Sequence, residues 1–247
     1  GWAQRNAFSR VGDVYITVSG GTIANIFGGG ATSTSGGSTQ AGNVTLTVSG
    51  GTINGDIFAR GQSLNDVVAN AEVIFTGKEN FACGVHGYSY VGGDESDATL
   101  AFSDYTGTFS GKVGGFDSVT VGANSWMTLG TAADDVSNAA WIFDFNQRVL
   151  GLDGQAALTW STADFTEDTI TLRIASTRSE GWTLVSGADA SKYNTAADKF
   201  LVEIDGAEAV SLTFDAATGK TGTIADGAYQ GWGFAVNEGV LKFTKLA

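Results

Sequence analysis

Cys83 and His86 are the residues whose chemical type most readily indicates a site, and Gly84 and Val85 separate them. Zinc sites are built from four ligands, most often cysteine sulfur and histidine nitrogen, and this spacing is typical of half a site. The chain has no other cysteine or histidine, so carboxylates would have to supply the remaining ligands. When the internal repeats are aligned, Cys83 falls beside Ala59 in an apolar segment. This position predicts a buried thiol rather than a metal ligand.

His86 could also act as a general base. Such a base needs a nucleophile and an orienting group beside it, and the sequence indicates neither. We therefore predict that His86 lies in a loop or turn. The sequence predicts no catalytic, cofactor-binding or metal-binding residue.

The densest group of acidic residues runs from Asp94 to Asp97 and includes Glu95. The favoured interpretation is a solvated loop, since two glycines precede it. The second is a calcium site, because carboxylate oxygens are ligands that calcium prefers. The third is catalysis, in which two carboxylates hydrolyse a glycosidic bond as acid and base. No calcium-loop motif and no acidic group on neighbouring repeats supports the second or third. Asp134 and Asp135 form a weaker group of the same kind.

Aromatic side chains offer stacking surfaces to ligands such as sugar rings. Tyr88 and Tyr90 lie in a polar segment bounded by glycines, which favours contact with a ligand. Trp141, Trp182 and Trp232 lie instead in apolar alternating segments. These three tryptophans are predicted to belong to the core.

The predicted strands that position these residues come from a repeated sequence segment. Residues Val14 to Ile23 (VYITVSGGTI) recur as Val44 to Ile53 (VTLTVSGGTI), an offset of 30 residues. A near-identical segment at a fixed offset is typical of a solenoid, in which each copy forms one rung, that is, one coil of the chain stacked on the last. Apolar and polar residues alternate in each copy, which predicts a strand with one buried face. The Gly-Gly pair that follows predicts a sharp corner.

Weaker copies are predicted at 71–77, 98–103 and 116–129, and the apolar segments after the corners align 26–28 with 57–59 and 81–84. In this alignment Thr45 and Thr47 point outward, as a Thr-x-Thr pair that could order water against ice. The equivalent residues of the other copies do not form such a pair, so ice binding is not predicted. Residues 1–130 are predicted to form a right-handed parallel β-helix.

Residues 131–247 keep the strand pattern but lose the repeat, and they hold only 11 of the 36 glycines. The Asp205-Gly206 pair and the segment from Asn237 to Gly239 predict hairpin turns. An open solenoid end exposes apolar core and unpaired strand edges, so it needs a distinct capping element. We predict an all-β chain whose C-terminal part is a non-repetitive, β-rich capping module, either a β-sandwich or irregular final rungs.

The charge balance excludes some classes of function. The 13 Lys and Arg residues against 26 Asp and Glu give a formal net charge of −13. Nucleic-acid phosphates need a basic surface, so nucleic acid is not a predicted partner. No apolar run approaches the roughly 18 residues of a membrane-spanning helix, so membrane insertion is not predicted. Abundant glycine, threonine and serine, with no proline and one cysteine, favour an exported protein, and we expect a piece of something larger.

The first repeat and the segment Ile26-Phe27-Gly28-Gly29-Gly30 resemble the rungs of very large bacterial surface proteins of the autotransporter-passenger and adhesin type. They are especially similar to glycine-rich β-solenoid proteins of Lentisphaerae and related gut bacteria. Residues 116–130 resemble the last passenger rungs of such proteins, and residues 181–187 and 239–244 resemble their terminal module. The resemblance implies a secreted or cell-surface location and a structural role, and its motifs identify no ligand.

Together these features predict a non-enzymatic, extracellular structural or adhesive module of a large bacterial surface protein. No cofactor is predicted, with calcium in the acidic loop as the alternative. Side loops would contact glycans or host and surface proteins, and the exposed edges of the first rung could associate end to end with another chain. The alternative function is a polysaccharide-active β-helix enzyme, a lyase or glycosidase, using Asp94, Glu95 and Asp97. An enzyme should bring carboxylates from several rungs into one groove, whereas a structural module should have no such cleft.

Overall fold

The computed structural model describes residues 2–3, 8–32, 37–63, 65–90, 97–122, 124–129, 140–145, 158–160, 164–174, 180–196, 198–206 and 210–246. Regular structure within these ranges is β-strand, except for one turn of 3-10 helix at Ala190–Lys192. The predicted all-β fold class is confirmed.

The described ranges contain twenty-four strands, β1 to β24 in chain order. They are β1 (Trp2–Ala3), β2 (Phe8–Arg10), β3 (Val14–Ile23), β4 (Ile26–Phe27), β5 (Ala31–Thr32), β6 (Ser38–Ile53), β7 (Ile57–Phe58), β8 (Asp66–Gly77), β9 (Val85–His86), β10 (Ala98–Tyr105), β11 (Thr108–Phe109), β12 (Val113–Gly114), β13 (Ser118–Val121), β14 (Met127–Leu129), β15 (Ala140–Phe145), β16 (Leu158–Trp160), β17 (Thr169–Ile174), β18 (Trp182–Ser186), β19 (Phe200–Ile204), β20 (Val210–Ser211), β21 (Phe214–Asp215), β22 (Lys220–Thr221), β23 (Trp232–Asn237) and β24 (Val240–Lys245).

Parallel pairing between successive rungs builds the molecule. The longest sheet has ten strands, in the order β2-β6-β8-β10-β13-β15-β17-β19-β20, with β3 also beside β6. A four-stranded sheet (β12-β9-β7-β4) and an eight-stranded sheet that begins β11-β14-β16-β18 accompany it. Strands separated by one coil of the chain are therefore neighbours and run in the same direction. This arrangement is a parallel β-helix, as predicted.

The first two rungs stack in the register that their sequences predict. Ile16 lies opposite Leu46, and Val18 lies opposite Val48. The Leu46 position continues through the ten-stranded sheet as Val73, Leu100, Val119, Trp141, Ile170 and Phe200, all of them buried. Each inward side chain rests on its equivalent in the next rung, so apolar surface is removed from water along the whole stack.

Polar side chains satisfy backbone amides at the corners, where the ladder of backbone hydrogen bonds is interrupted. Oδ1 of Asn25 accepts the N–H of Asp56, and Oδ1 of Asp56 accepts the N–H of Gly84, each at 2.8 Å. Oδ1 of Asp13 likewise accepts the N–H of Asn43 at 2.8 Å. Each of these bonds joins one rung to the next and supplies a partner for an amide that the strands leave unpaired.

Strand pairing becomes antiparallel at the C-terminal end. β18 pairs with β24, β24 with β23, and β19 with β20, all antiparallel. The β23–β24 turn consists of Glu238 and Gly239, with φ of 50° and 72°, as a type I′ hairpin requires. Both predicted hairpins are confirmed. The predicted division of the chain near residue 130 rests on composition and stays a prediction. Beyond that residue, β15, β17 and β19 still pair in parallel.

Candidate functional site

His86 lies in strand β9 and is buried, so the prediction of a loop or turn position is wrong. Its Nε2 lies 3.3 Å from Oδ2 of Asp56, on the rung before. Its ring stacks on Phe58, with 4.8 Å between the centroids, and Tyr88 packs near it. The sequence offered no signal for the Asp56 partner, since 30 residues separate the two. The pair joins two rungs under an aromatic cover.

The predicted alignment of the apolar segment 81–84 with 57–59 is also wrong. β7 pairs with β9, which begins after that segment. Phe81 instead forms a bridge to Phe109 and is buried. It therefore fills the core at another corner of the rung. The number of residues between strands changes from rung to rung, and two apolar residues in a row do not indicate which corner they occupy.

Cys83 is buried, as predicted. Desolvation by burial is the main cause that raises the pKa of its thiol to about 11, and a backbone hydrogen bond opposes the shift. At neutral pH the thiol is protonated, and a protonated thiol is a poor nucleophile and a poor metal ligand. Within the described ranges, no group of three or more His, Cys, Asp or Glu side chains is placed to hold a metal ion.

The acidic loop is described only at its last residue. Asp94, Glu95 and Ser96 lie outside the described residues, as do Asp134 and Asp135, so the interpretations of these groups stay predictions. Asp97 lies on the outer surface just before β10, with φ of 74°. Asp97 lines a concave feature of the outer face.

That feature is a groove of about 430 Å³ on the outer face of the ten-stranded sheet. Four consecutive rungs contribute to it, through β6, β8, β10 and the start of β13. Its walls and floor are Asn43, Val44, Thr45, Asn70, Ala71, Glu72, Asp97, Thr99 and Asp117. Because side chains of a strand alternate between the faces, the outward residues of neighbouring rungs form rows along the axis of the solenoid.

In one row of the groove, amide and carboxylate side chains accept hydrogen bonds from side-chain or backbone groups of the neighbouring rung. Nδ2 of Asn70 donates to Oδ1 of Asn43 at 2.8 Å, and the backbone N–H of Asp97 donates to Oδ2 of Asp117 at 2.5 Å. Oδ1 of Asp13 accepts the backbone N–H of Asn43 and extends the row by one rung. These bonds hold the row in place and leave further donor and acceptor positions to solvent.

The second row contains Tyr15, Thr45, Glu72 and Thr99 in register. This is the register on which the prediction against ice binding rests, and Ile74 and Ala101 interrupt the third row as expected. Tyr15 is 77% exposed, the highest value among the large apolar side chains described. Tyr15 lies opposite Thr45, a groove residue, and so provides an exposed ring at one end of the groove.

The groove is negatively charged. Glu72, Asp97 and Asp117 contribute three carboxylates from three rungs, and none of the nine lining residues is basic. Anionic ligands are therefore repelled, while hydroxyl, amide and amine groups find acceptors. The sequence identified Asp97 as a candidate; it missed Glu72, Asp117, Asn43 and Asn70, because residues far apart in the chain become neighbours only through the stack.

The tyrosines predicted to contact a ligand lie on a different face. Tyr90 is 55% exposed, and its ring packs edge-on against Phe27 and Phe58, with centroid distances of 5.8 and 5.1 Å. Tyr88 is half-buried and lies beside His86. These rings cover the four-stranded sheet, and neither tyrosine is among the residues that line the groove.

Two of the three tryptophans predicted in the core, Trp141 and Trp182, are buried. Trp232 is half-buried and packs on Tyr229 and Phe243, with centroid distances of 5.1 and 5.0 Å. These rings stabilise the later rungs and the cap, and none of them belongs to the groove.

Arg60 and Asp66 are buried charged residues that the sequence did not indicate as functional. Arg60 is 4% exposed and Asp66 is 1% exposed. Nη1 of Arg60 donates to the carbonyl of Val68 at 2.8 Å, and Oδ2 of Asp66 accepts the N–H of Ser63 at 2.8 Å. Thr39 of the preceding rung also donates to Asp66. Because buried charges are costly without such bonds, these contacts order the segment between β7 and β8.

Comparison of the chain with protein-family models, with curated proteins and with solved structures finds no match. The described part of the chain includes no helix of sufficient length and apolar character to cross a membrane. The fold and groove define the chain as a β-solenoid with a polar outer groove.

Proposed function

We propose that this chain is a non-enzymatic, extracellular structural and adhesive module of a large bacterial surface protein, of the autotransporter-passenger type that its repeats resemble. The observation that supports the proposal best is the acidic groove on the outer face of a continuous parallel stack. The stack is a rigid support, and the groove is a polar surface that the support presents to solvent.

The structural part of the role follows from the stacking. In the ten-stranded sheet each rung is hydrogen-bonded to the rung on either side, from β6 through β19. Buried apolar side chains fill the interior at successive levels, as at Leu100, Val119 and Trp141. Bending or stretching such a rod would break several backbone bonds and open the packed core at the same level. A protein that must hold a binding surface away from a cell is well served by this design.

The adhesive part of the role rests on the chemistry of the groove. Asn43, Asn70 and Thr99 offer donors and acceptors, and the three carboxylates offer acceptors alone. Tyr15 adds an exposed ring of the kind that stacks on sugar rings. Hydroxyl-rich and amine-bearing glycans fit this set, whereas sulfated sugars and uronates are opposed by charge. We therefore propose neutral and amino-sugar glycans as the ligands.

The test is titration of the purified chain with neutral, amine-bearing and uronate oligosaccharides, preceded by a glycan-array screen. We expect saturable binding of the first two classes and none of the third. Asn70→Ala and Glu72→Gln should weaken binding at least about tenfold, since each leaves a ligand group without its partner. Asn54→Ala and Glu79→Gln make the same changes at exposed positions outside the groove and should bind as the unaltered chain. Binding of uronates alone would contradict the proposal.

A polysaccharide-active enzyme is the second candidate, and one observation favours it: carboxylates from three rungs meet in one groove. A glycosidase would release reducing ends from neutral or amino-sugar polymers. Asp117→Asn and Glu72→Gln should then abolish release while leaving the fold intact. Binding without release of reducing ends or unsaturated products would support the adhesive function and exclude this one.

A further inference from the structure

Two columns of side chains line the outer groove and run along the axis of the solenoid. Each of three successive rungs contributes two groove residues that are two positions apart in the sequence and therefore point to the same face. One column is Asn43, Asn70 and Asp97, and the other is Thr45, Glu72 and Thr99. Asp117 of the next rung extends the first column, since its Oδ2 accepts the backbone N–H of Asp97 at 2.5 Å. The groove therefore offers polar groups at four successive levels.

The interval between these levels selects the kind of polymer that can lie along the groove. Neighbouring strands of a sheet lie about 4.8 Å apart, so each column presents one polar side chain per interval of that length. One pyranose unit adds nearly the same length to an extended chain with equatorial linkages. An extended peptide advances by about 3.3 Å per residue, which matches the interval neither for one residue nor for two. A linear oligosaccharide can therefore stay in register with the rungs, with one sugar at each level.

The carboxylates alternate between the two columns. Glu72 lies in one column, and Asp97 lies in the other column on the next rung. Successive sugars of a β-1,4-linked chain are turned over relative to each other, so an equivalent substituent appears on alternate edges of the chain. Amine groups at the same carbon of two successive sugars would therefore face Glu72 and Asp97 in turn. On the same rungs, Asn70 lies across from Glu72 and Thr99 lies across from Asp97, and these neutral groups can bond to hydroxyls on the other edge.

Hydrogen bonds already order the first column. Nδ2 of Asn70 donates to Oδ1 of Asn43 at 2.8 Å, and the bond from Asp97 to Asp117 fixes the next level. Groups that are held in place before binding lose little conformational freedom when a ligand arrives. Glu72, Asp97 and Asp117 are exposed, so water screens their attraction for amines, which selects among ligands more than it adds affinity. Most of the affinity must come from contacts repeated at each level, and it should grow with the length of the ligand.

We propose that the groove binds a linear β-1,4-linked amino-sugar oligomer parallel to the axis of the solenoid, with one sugar per rung and successive amines at Glu72 and Asp97. The four levels are those of β6, β8, β10 and β13. A sugar beyond the fourth lies outside the groove and makes no contact with its columns. This inference rests on the proposed glycan-binding function, and it adds the linkage, the orientation and the number of sugars bound.

The length of the site is tested by calorimetric titration of the full chain with β-1,4-linked glucosamine oligomers of two to six units. Each added unit up to the fourth should lower Kd about three- to tenfold, since it gains one or two hydrogen bonds. The fifth and sixth units should change Kd less than about twofold. A capped tetralysine peptide carries the same number of amines without the spacing of the sugars, and it should bind at least about tenfold more weakly than the tetramer.

The role of the carboxylates is tested with N-acetylated oligomers of the same lengths, which are neutral. The amine form should bind at least about tenfold more tightly, and Glu72→Gln and Asp97→Asn should each reduce that ratio at least about threefold. Asparagine tolerates the φ of 74° at Asp97, so the second change leaves the backbone in place. Glu79→Gln, at an exposed position outside the groove, should leave the ratio unchanged.

The outcomes separate this inference from the function on which it rests. Equal affinities of the dimer and the tetramer, binding of tetralysine as tight as that of the tetramer, or a ratio unaffected in both variants would overturn the inference while glycan binding stands. Absence of binding by every oligosaccharide, neutral or amine-bearing, would overturn both.

Discussion

Gly111 lies at a corner where one rung closely approaches the rung before it. A Cβ at this position would lie 1.7 Å from the carbonyl oxygen of Cys83 and 2.5 Å from its carbonyl carbon. These are backbone atoms, so no side-chain rotation can relieve the contact. We expect Gly111→Ala to displace one rung relative to the next and to lower the free energy of unfolding by about 3 kcal/mol or more, the upper end of the range for overpacked sites.

Gly12 provides the matched control. A Cβ there would have no heavy atom within 4 Å, and neither Gly12 nor Gly111 has a positive φ. Backbone strain is therefore absent from both substitutions, and they differ only in the space available. Gly12→Ala should leave stability unchanged or raise it by up to about 1 kcal/mol, because alanine restricts the unfolded chain.

The assay is thermal and urea unfolding of both variants, followed by far-UV circular dichroism. A loss of about 3 kcal/mol corresponds to a decrease in Tm of roughly 6–12 °C for a chain of this size. A Tm for Gly111→Ala within about 2 °C of that for Gly12→Ala would refute the close stacking of rungs at this corner.

Three further predictions concern the core, the thiol and a turn. Leu100→Ala should destabilise the chain by about 2–5 kcal/mol because it leaves a cavity at a buried position. Thr99 faces outward on the same strand, so Thr99→Ala should change stability by no more than about 0.5 kcal/mol. Equal effects of the two substitutions in urea unfolding would contradict the assigned faces of the strand. Cys83 should react with a thiol reagent at pH 8 only in denaturant, since burial raises the pKa of its thiol to about 11. Because this pKa is raised in the folded state, the protonated thiol contributes fully to folding stability below pH 9, and this contribution is lost as the pH rises toward 11. Rapid reaction of the folded chain would refute the burial of Cys83. The pKa of Asp215 is lowered chiefly by a hydrogen bond from the Thr218 hydroxyl. The ionised carboxyl therefore stabilises the turn above its unfolded-state pKa, and this stabilisation is lost as the pH falls through its folded-state pKa. Carboxyl titration by NMR should show that Thr218→Ala raises the pKa of Asp215, and no rise would exclude this hydrogen bond as the cause.

The repeat carried most of the information about the fold. The alternation of apolar and polar residues from Val14 to Ile23 recurs 30 residues later. This pattern was sufficient to predict parallel strands, their register and their buried faces, because successive side chains of a strand point to opposite faces and only one face reaches the core. The turns at Asp205 and Asn237 were predictable for a similar reason, because few residues adopt the positive φ that such turns require.

The groove was decided by the tertiary structure. Glu72, Asp97 and Asp117 belong to three rungs of different length, and only the stacking of those rungs brings their side chains to one surface. His86 shows the same limit, since its partner Asp56 and its burial depend on which corner of the third rung it occupies. A local pattern determines which face of a strand is apolar, while the lengths of the connecting segments determine which outward side chains become neighbours.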